Sequence, residues 1–131
     1  MSYLPYLIVF VGSGIGGAMR HGVNVAAGRM LGTEFPFGTL IVNLTGALAM
    51  AIVAEALALW LGLPQHLRLF LTTGIIGGYT TFSTLTLDAA TLYERGQLWG
   101  ALAYLVVSII GGLAAFWSGL VFVRLLAGLL K

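Results

Sequence analysis

Four apolar stretches dominate the pattern of hydrophobic and polar positions along the chain. The first runs over residues 4–19 without a charge and ends on Arg20 and His21. The second, over 37–61, carries one charge, Glu55. The third, over 69–87, carries none and runs into Asp88, and the fourth, over 98–123, also carries none. A helix needs about 20 apolar residues to cross the hydrocarbon core of a bilayer. Each stretch therefore predicts one spanning helix, with spans at 4–28, 37–61, 69–93 and 98–125. The connections between them are short. Together the spans form a single transmembrane domain over residues 1–131, so the expected fold class is an all-α integral membrane protein. A secretory signal is a poor reading of the first span, because no basic residue precedes the apolar run.

Composition agrees with this pattern. The chain has 131 residues, 60% hydrophobic and 8% charged, where a soluble domain carries about 25% charged residues. A soluble monomer is excluded. The net charge is +2, and the scattered basic residues form no phosphate-binding stripe, so nucleic acid is not an expected partner. Cysteine is absent, which excludes disulfides and Cys-ligated metals. There is no Ser/His/Asp set, HExxH or P-loop, and an enzyme is not expected. An even number of spans puts both termini on one side. That side carries Arg68, Arg124 and Lys131, and the other carries Arg20, Arg29 and Arg95. The balance gives the positive-inside rule no preferred orientation and points to a chain that inserts both ways and pairs antiparallel. A lone four-helix chain is also too thin to enclose a guarded pathway.

The densest chemistry lies in the third span. Residues 72–84 read TTGIIGGYTTFST, with three glycines and six Ser/Thr hydroxyls in thirteen positions. Adjacent glycines are poor helix formers, and Thr and Ser compete for backbone hydrogen bonds. This predicts a helix broken mid-membrane over 77–81. Such a break is tolerated only where protein or water satisfies the freed groups, and freed carbonyls there suit a small hard cation. The competing reading is a small-residue packing face, Gly74 with Gly78, of the kind that Gly12 with Gly16 and Gly28 with Gly32 also suggest.

Other polar residues interrupt the apolar runs at helical spacing. Asn43 and Thr39 lie one turn apart in the second span, and Tyr104 and Ser108 one turn apart in the fourth. The Asn43 amide can donate to an anion or bond across helices. Phe82 follows the expected break, and its ring has a positive edge. Arg20 ends the first span, where it can draw an anion into a vestibule or simply anchor the helix at the interface.

Three segments together resemble the Fluc (CrcB) family of bacterial fluoride channels. They are GGAMR at 16–20, GTLIVNLTG at 38–46 and GIIGGYTTFST at 74–84, and the resemblance covers essentially the whole chain. It implies an antiparallel, dual-topology homodimer in the bacterial inner membrane, multi-pass and bathed in lipid. Two pores along the subunit interface would passively export cytoplasmic fluoride. The resemblance implies a structural sodium ion, not transported, held by the backbone carbonyls of Gly77 and Thr80. It implies a fluoride path lined by Asn43, Phe82, Ser83, Thr84, Tyr104, Ser108 and Thr39, with Arg20 at its vestibule. Leu85 stands where the family usually has a second Phe, and Asp88 where it usually has Glu. On this reading Leu85→Phe would restore the usual aromatic pair and conduct at least as well. Two rivals are a small multidrug-type cation/proton antiporter and a non-conducting assembly subunit. The first needs a membrane-embedded acid, and residues 4–19 contain none.

Overall fold

The computed structural model describes residues 2–60 and 62–129. All regular elements among them are helical. Helix α1 is Leu4–Leu31, opened by Pro5 in its first turn, where the missing N–H costs nothing. It stops at Gly32, whose φ of +82° admits glycine far more readily than any other residue. Helix α2 is Phe37–Leu59. Helix α3 spans residues 65–79 in three parts: an α turn Gln65–Leu69, a π-helical stretch Phe70–Ile76 and a last α turn Gly77–Tyr79. Thr80 and Thr81 are extended. Helix α4 is Phe82–Glu94, and after a turn at Gly96 (φ +77°) helix α5 is Leu98–Leu129.

Helices α2 and α5 are long and apolar enough to cross a membrane. Helix α1 has 28 residues and so reaches about 42 Å, but glycines, Arg20 and His21 dilute its apolar run. The third segment contains no unbroken helix of spanning length, because α4 has only 13 residues. The observed helices differ from the expected spans mainly at their ends. Helix α1 continues to Leu31, α3 starts at Gln65, α5 continues to Leu129, and α2 ends at Leu59. Position 61, the expected end of the second span, lies outside the described residues.

The two most extensive packings are α2 on α5 and α1 on α3. Small residues set both. A Cβ added at Gly12 would lie 2.7 Å from the Gly74 Cα, and one at Gly78 would lie 2.6 Å from the Ser13 Cα. The backbones of α1 and α3 are therefore in direct contact, as small residues permit in apolar surroundings. Gly119 plays the same part against Leu48 and Ala51 on the α2–α5 side. Gly28 and Gly32 do not: the first faces only the Thr33 methyl at 3.7 Å, and the second is the α1 cap with open space around it. Their spacing is that of a packing motif, but no helix lies opposite.

A small core joins α4 to α5 through Leu85, Ala89, Leu92, Ala101 and Tyr104, with Phe35 edge-on to the Tyr104 ring at 5.6 Å. Beyond it Val42, Leu57, Ile76 and Val123 are buried, but many large apolar side chains face outward, among them Phe10, Trp99, Ile110 and Trp117. Continuous apolar faces on this scale mark contact with lipid or another protein surface. Glu55, the lone charge in α2, accepts from Arg124 Nε at 2.7 Å.

Candidate functional site

The interruption between α3 and α4 is held from outside by α2. Asn43 Nδ2 donates to the Thr81 carbonyl at 3.0 Å, and Asn43 Oδ1 accepts from the Thr81 N–H at 2.9 Å. The paired bonds fix which way the amide faces, since a backbone N–H can only donate. Thr81 then caps α4: its Oγ1 accepts from the Thr84 N–H at 3.2 Å, the pattern that satisfies a first-turn donor. Its hydroxyl donates to Thr84 Oγ1 at 3.0 Å and lies 3.3 Å from Ser83 Oγ. Space for the break comes from Gly46, whose bare Cα faces the Thr80 methyl. Tyr79 is tied to α2 as well, its hydroxyl 3.0 Å from Thr45 Oγ1.

In a continued helix the Thr81 N–H would bond the Gly77 carbonyl four residues back. Because it turns to Asn43 instead, the Gly77 carbonyl loses that donor. The Thr80 carbonyl points to a different neighbour, accepting a long bond of 3.4 Å from Arg20 Nη1. Arg20 is thus drawn inward to the break, where the sequence suggested a vestibule.

A cleft of about 450 Å³ opens beside the break. Asn43, Gly77, Thr80, Phe82, Leu85 and Ser108 line it. Phe82, the first residue of α4, is 76% exposed. Several apolar side chains on the outer faces are as open, but Phe82 stands at the cleft. Ser108 is the opposite: its residue is 6% exposed, and its Oγ is buried with no partner in the protein. An unmatched buried hydroxyl costs about 1–3 kcal/mol. Beyond its pairing with Thr81, the Asn43 amide keeps a second N–H. The cleft therefore brings together an amide, a ring and, buried in its wall, an unmatched hydroxyl, with no carboxylate among its lining residues.

Not every expected site residue reaches this cleft. Thr39 and Thr84 line a second one of about 310 Å³ together with Asn24, Thr33 and Asp88. Tyr104 lines neither. Its ring is fully buried in the α4–α5 core, and its hydroxyl donates to Asp88 Oδ2 at 3.1 Å. That commitment departs from the expectation of a free donor, because the helix face carrying Tyr104 is occupied by α4. Ser83 is exposed and faces Thr81 rather than the cleft. Leu85 lines the cleft but is only 6% exposed and belongs to the core. A larger ring there would overpack its neighbours, at a cost of about 1–3 kcal/mol. The expectation that Leu85→Phe conducts at least as well is revised on that ground.

Thr81 is the residue that sequence reasoning passed over. A signal was present: a threonine after a low-propensity run, immediately before an apolar helix, is a favoured N-cap. Its pairing with Asn43 had no local signal, since the two lie 38 positions apart.

The family model described as "CrcB-like protein, Camphor Resistance (CrcB)" matches residues 7–120. This chain belongs to the CrcB family. Three relatives are similar over almost their full length. A protein of Granulibacter bethesdensis named fluoride-specific ion channel FluC is 52% identical over 94% of this chain and 97% of its own. One of Methylobacterium nodulans with the same name is 52% identical over 92% of this chain and 97% of its own. Another, of Rhodopseudomonas palustris strain BisB5, is 48% identical over 92% and 98%. In the CrcB chain described here the break, Asn43, Phe82 and Ser108 all fall within the matched region.

Proposed function

We propose that this protein is a fluoride-selective ion channel that passively exports fluoride across a bacterial inner membrane and so limits its toxicity. The observation that carries the reading is the cleft. A buried, unpartnered Ser108 hydroxyl, the spare Asn43 N–H and the exposed Phe82 ring stand together at a helix break, in a chain about half identical to proteins named for this ion. Fluoride is small and strongly hydrated, so a selective path must replace water with several short donors. Neutral donors do so without trapping the ion, which must also leave. Thr39 and Thr84 extend the path toward the second cleft and Arg20 supplies positive potential beside the break, while Ser83 and Tyr104, which line neither cleft, act on it only through Thr81 and Asp88.

The working unit is an antiparallel, dual-topology homodimer with two pores at the subunit interface. The exposed Phe82 supports this, because a second copy would cover the open side of the cleft. The outward apolar faces of α1 and α5 supply contact with lipid and with that copy. Four spans per chain fit the helix lengths if α3 and α4 cross as one interrupted unit. The even split of Lys and Arg supports both orientations. C-terminal reporter fusions should therefore signal from both sides of the membrane, and a single fixed orientation would sink the antiparallel homodimer.

A structural sodium ion fits the residues at the break. Gly77 and Thr80 carry neutral backbone oxygens, the ligand type hard cations prefer; the Gly77 carbonyl has lost its helical donor to Asn43, and the Thr80 carbonyl would exchange its long bond from Arg20 for the ion. Held by these carbonyls from both subunits, the ion would pin the two breaks together and is not transported.

Liposomes containing the purified protein, followed with a fluoride-selective electrode, test the main reading. Fluoride efflux without chloride efflux is expected. No efflux would favour a non-conducting subunit, and cation-coupled flux would favour an antiporter. The antiporter reading lacks a free acid within the expected spans: Glu55 is engaged by Arg124 and Asp88 by Tyr104, while Glu34 and Glu94 lie outside them.

A further inference from the structure

We infer that Asn43 is the positioning residue that creates the cation site, by taking the Thr81 N–H away from the Gly77 carbonyl. The inference rests on the sodium reading above and adds a residue that never touches the ion. Three observations carry it. The Thr80 backbone is extended at φ −75°, ψ 158° and that of Thr81 at φ −154°, ψ 122°. Up to Thr80 the helical ladder is intact, with the Thr80 N–H donating to the Ile76 carbonyl at 3.0 Å. The next N–H in the chain, that of Thr81, goes to Asn43 Oδ1 at 2.9 Å. The ladder therefore ends one residue before the bond that would have closed over Gly77.

The local sequence favours an end here, through the glycines and the Thr81 cap, but does not by itself direct the Thr81 N–H away from Gly77. No proline is present in 65–94, and the Thr81 side chain already serves α4 as its cap. The Asn43 amide supplies what a backbone neighbour otherwise would: an acceptor for the Thr81 N–H and a donor for the Thr81 carbonyl. Buried backbone groups are almost always paired. Without the amide, the pairing most readily available to the Thr81 N–H is the Gly77 carbonyl. The turn would then close and quench that oxygen as a ligand. Asn43 so serves both ions: its amide lines the cleft with one N–H to spare, while its carbonyl oxygen keeps Gly77 open.

Two substitutions separate these jobs. Asn43→Asp keeps an acceptor for the Thr81 N–H and removes the amide donors. Asn43→Leu keeps the bulk and removes both functions. The readout is the thermal unfolding midpoint of the purified dimer in sodium chloride against N-methyl-D-glucamine chloride, alongside fluoride flux. A ligand bound only to the folded state raises the midpoint, and for the wild-type protein a rise of about 5 °C or more is expected. Asn43→Asp should retain that rise while losing fluoride flux. Asn43→Leu should lose both. A sodium response retained in Asn43→Leu, or lost in Asn43→Asp, overturns the proposal. If Asn43→Leu does not fold, Asn43→Asp decides alone. A wild-type protein with no sodium response removes the sodium reading itself and the proposal with it, and the wild-type measurement identifies that case before any variant is compared.

Discussion

Phe82→Ile is expected to cut fluoride flux at least about tenfold, equivalent to about 1.4 kcal/mol on the barrier, while the dimer remains intact. The ring stands 76% exposed at the first position of α4 and lines the cleft. It contributes nothing to the α4–α5 core, so its loss should leave the chain's own packing unchanged. Isoleucine keeps apolar bulk but has no electropositive ring edge for an anion to meet. If the ring served only as a hydrophobic wall, the swap would be close to neutral, as exchanges that roughly keep apolar volume usually are. Liposome flux with dimer integrity checked by size exclusion decides the matter, and near-normal flux would remove the aromatic from the mechanism. Leu85→Phe is the companion test. Because Leu85 is packed against Ala89, Ala101 and Tyr104, the added ring should lower the unfolding midpoint rather than raise flux. A variant as stable as wild type with faster flux would show that the cleft, not the core, accepts the ring.

The second large effect is on assembly. Gly78→Ala should destabilise the protein by about 3 kcal/mol or more, the upper end of overpacking costs. A Cβ there would lie 2.6 Å from the Ser13 Cα and 2.7 Å from the Ser13 carbonyl oxygen. Both obstacles are backbone, so no side chain can swing aside, and α1 must separate from α3. The break follows at once in the chain, so its geometry should suffer with the packing. Gly14→Ala is the control, since its Cβ would meet nothing within 4 Å. There alanine should be neutral or improve the helix by up to about 1 kcal/mol. Unfolding midpoints and the yield of monodisperse protein in detergent measure both. Equal behaviour of the two variants would refute the backbone contact.

The two readings of the third segment, a packing face or a broken helix, need not exclude each other. Gly74 and Gly78 pack against α1, and the backbone leaves the helix two residues later. Glycine serves both ends, because it allows close approach and also weakens helical continuity. The π-helical stretch over Phe70–Ile76 had no counterpart in the sequence reading. A widened turn is not a matter of composition, and no periodicity marks it.

What the sequence determined by itself was the solvent and the secondary structure. Sixty per cent hydrophobic residues in four runs select helices with apolar surfaces, since backbone groups in lipid must be paired by the protein itself and the runs have the length of a spanning helix rather than of a barrel strand. Family membership was equally legible, because short motifs in a fixed order survive as residue identities. The tertiary structure decided which polar groups are free. Asn43, Thr39, Tyr104 and Ser108 all read as donors at helical spacing, yet Asn43 is half committed to Thr81 and Tyr104 wholly to Asp88, while Ser108 alone is left buried and unmatched. The reason is physical. Spacing determines which face of a helix a side chain occupies. Whether its hydrogen bonds are already taken depends on what the neighbouring helix places opposite, and that neighbour lies tens of residues away in the chain.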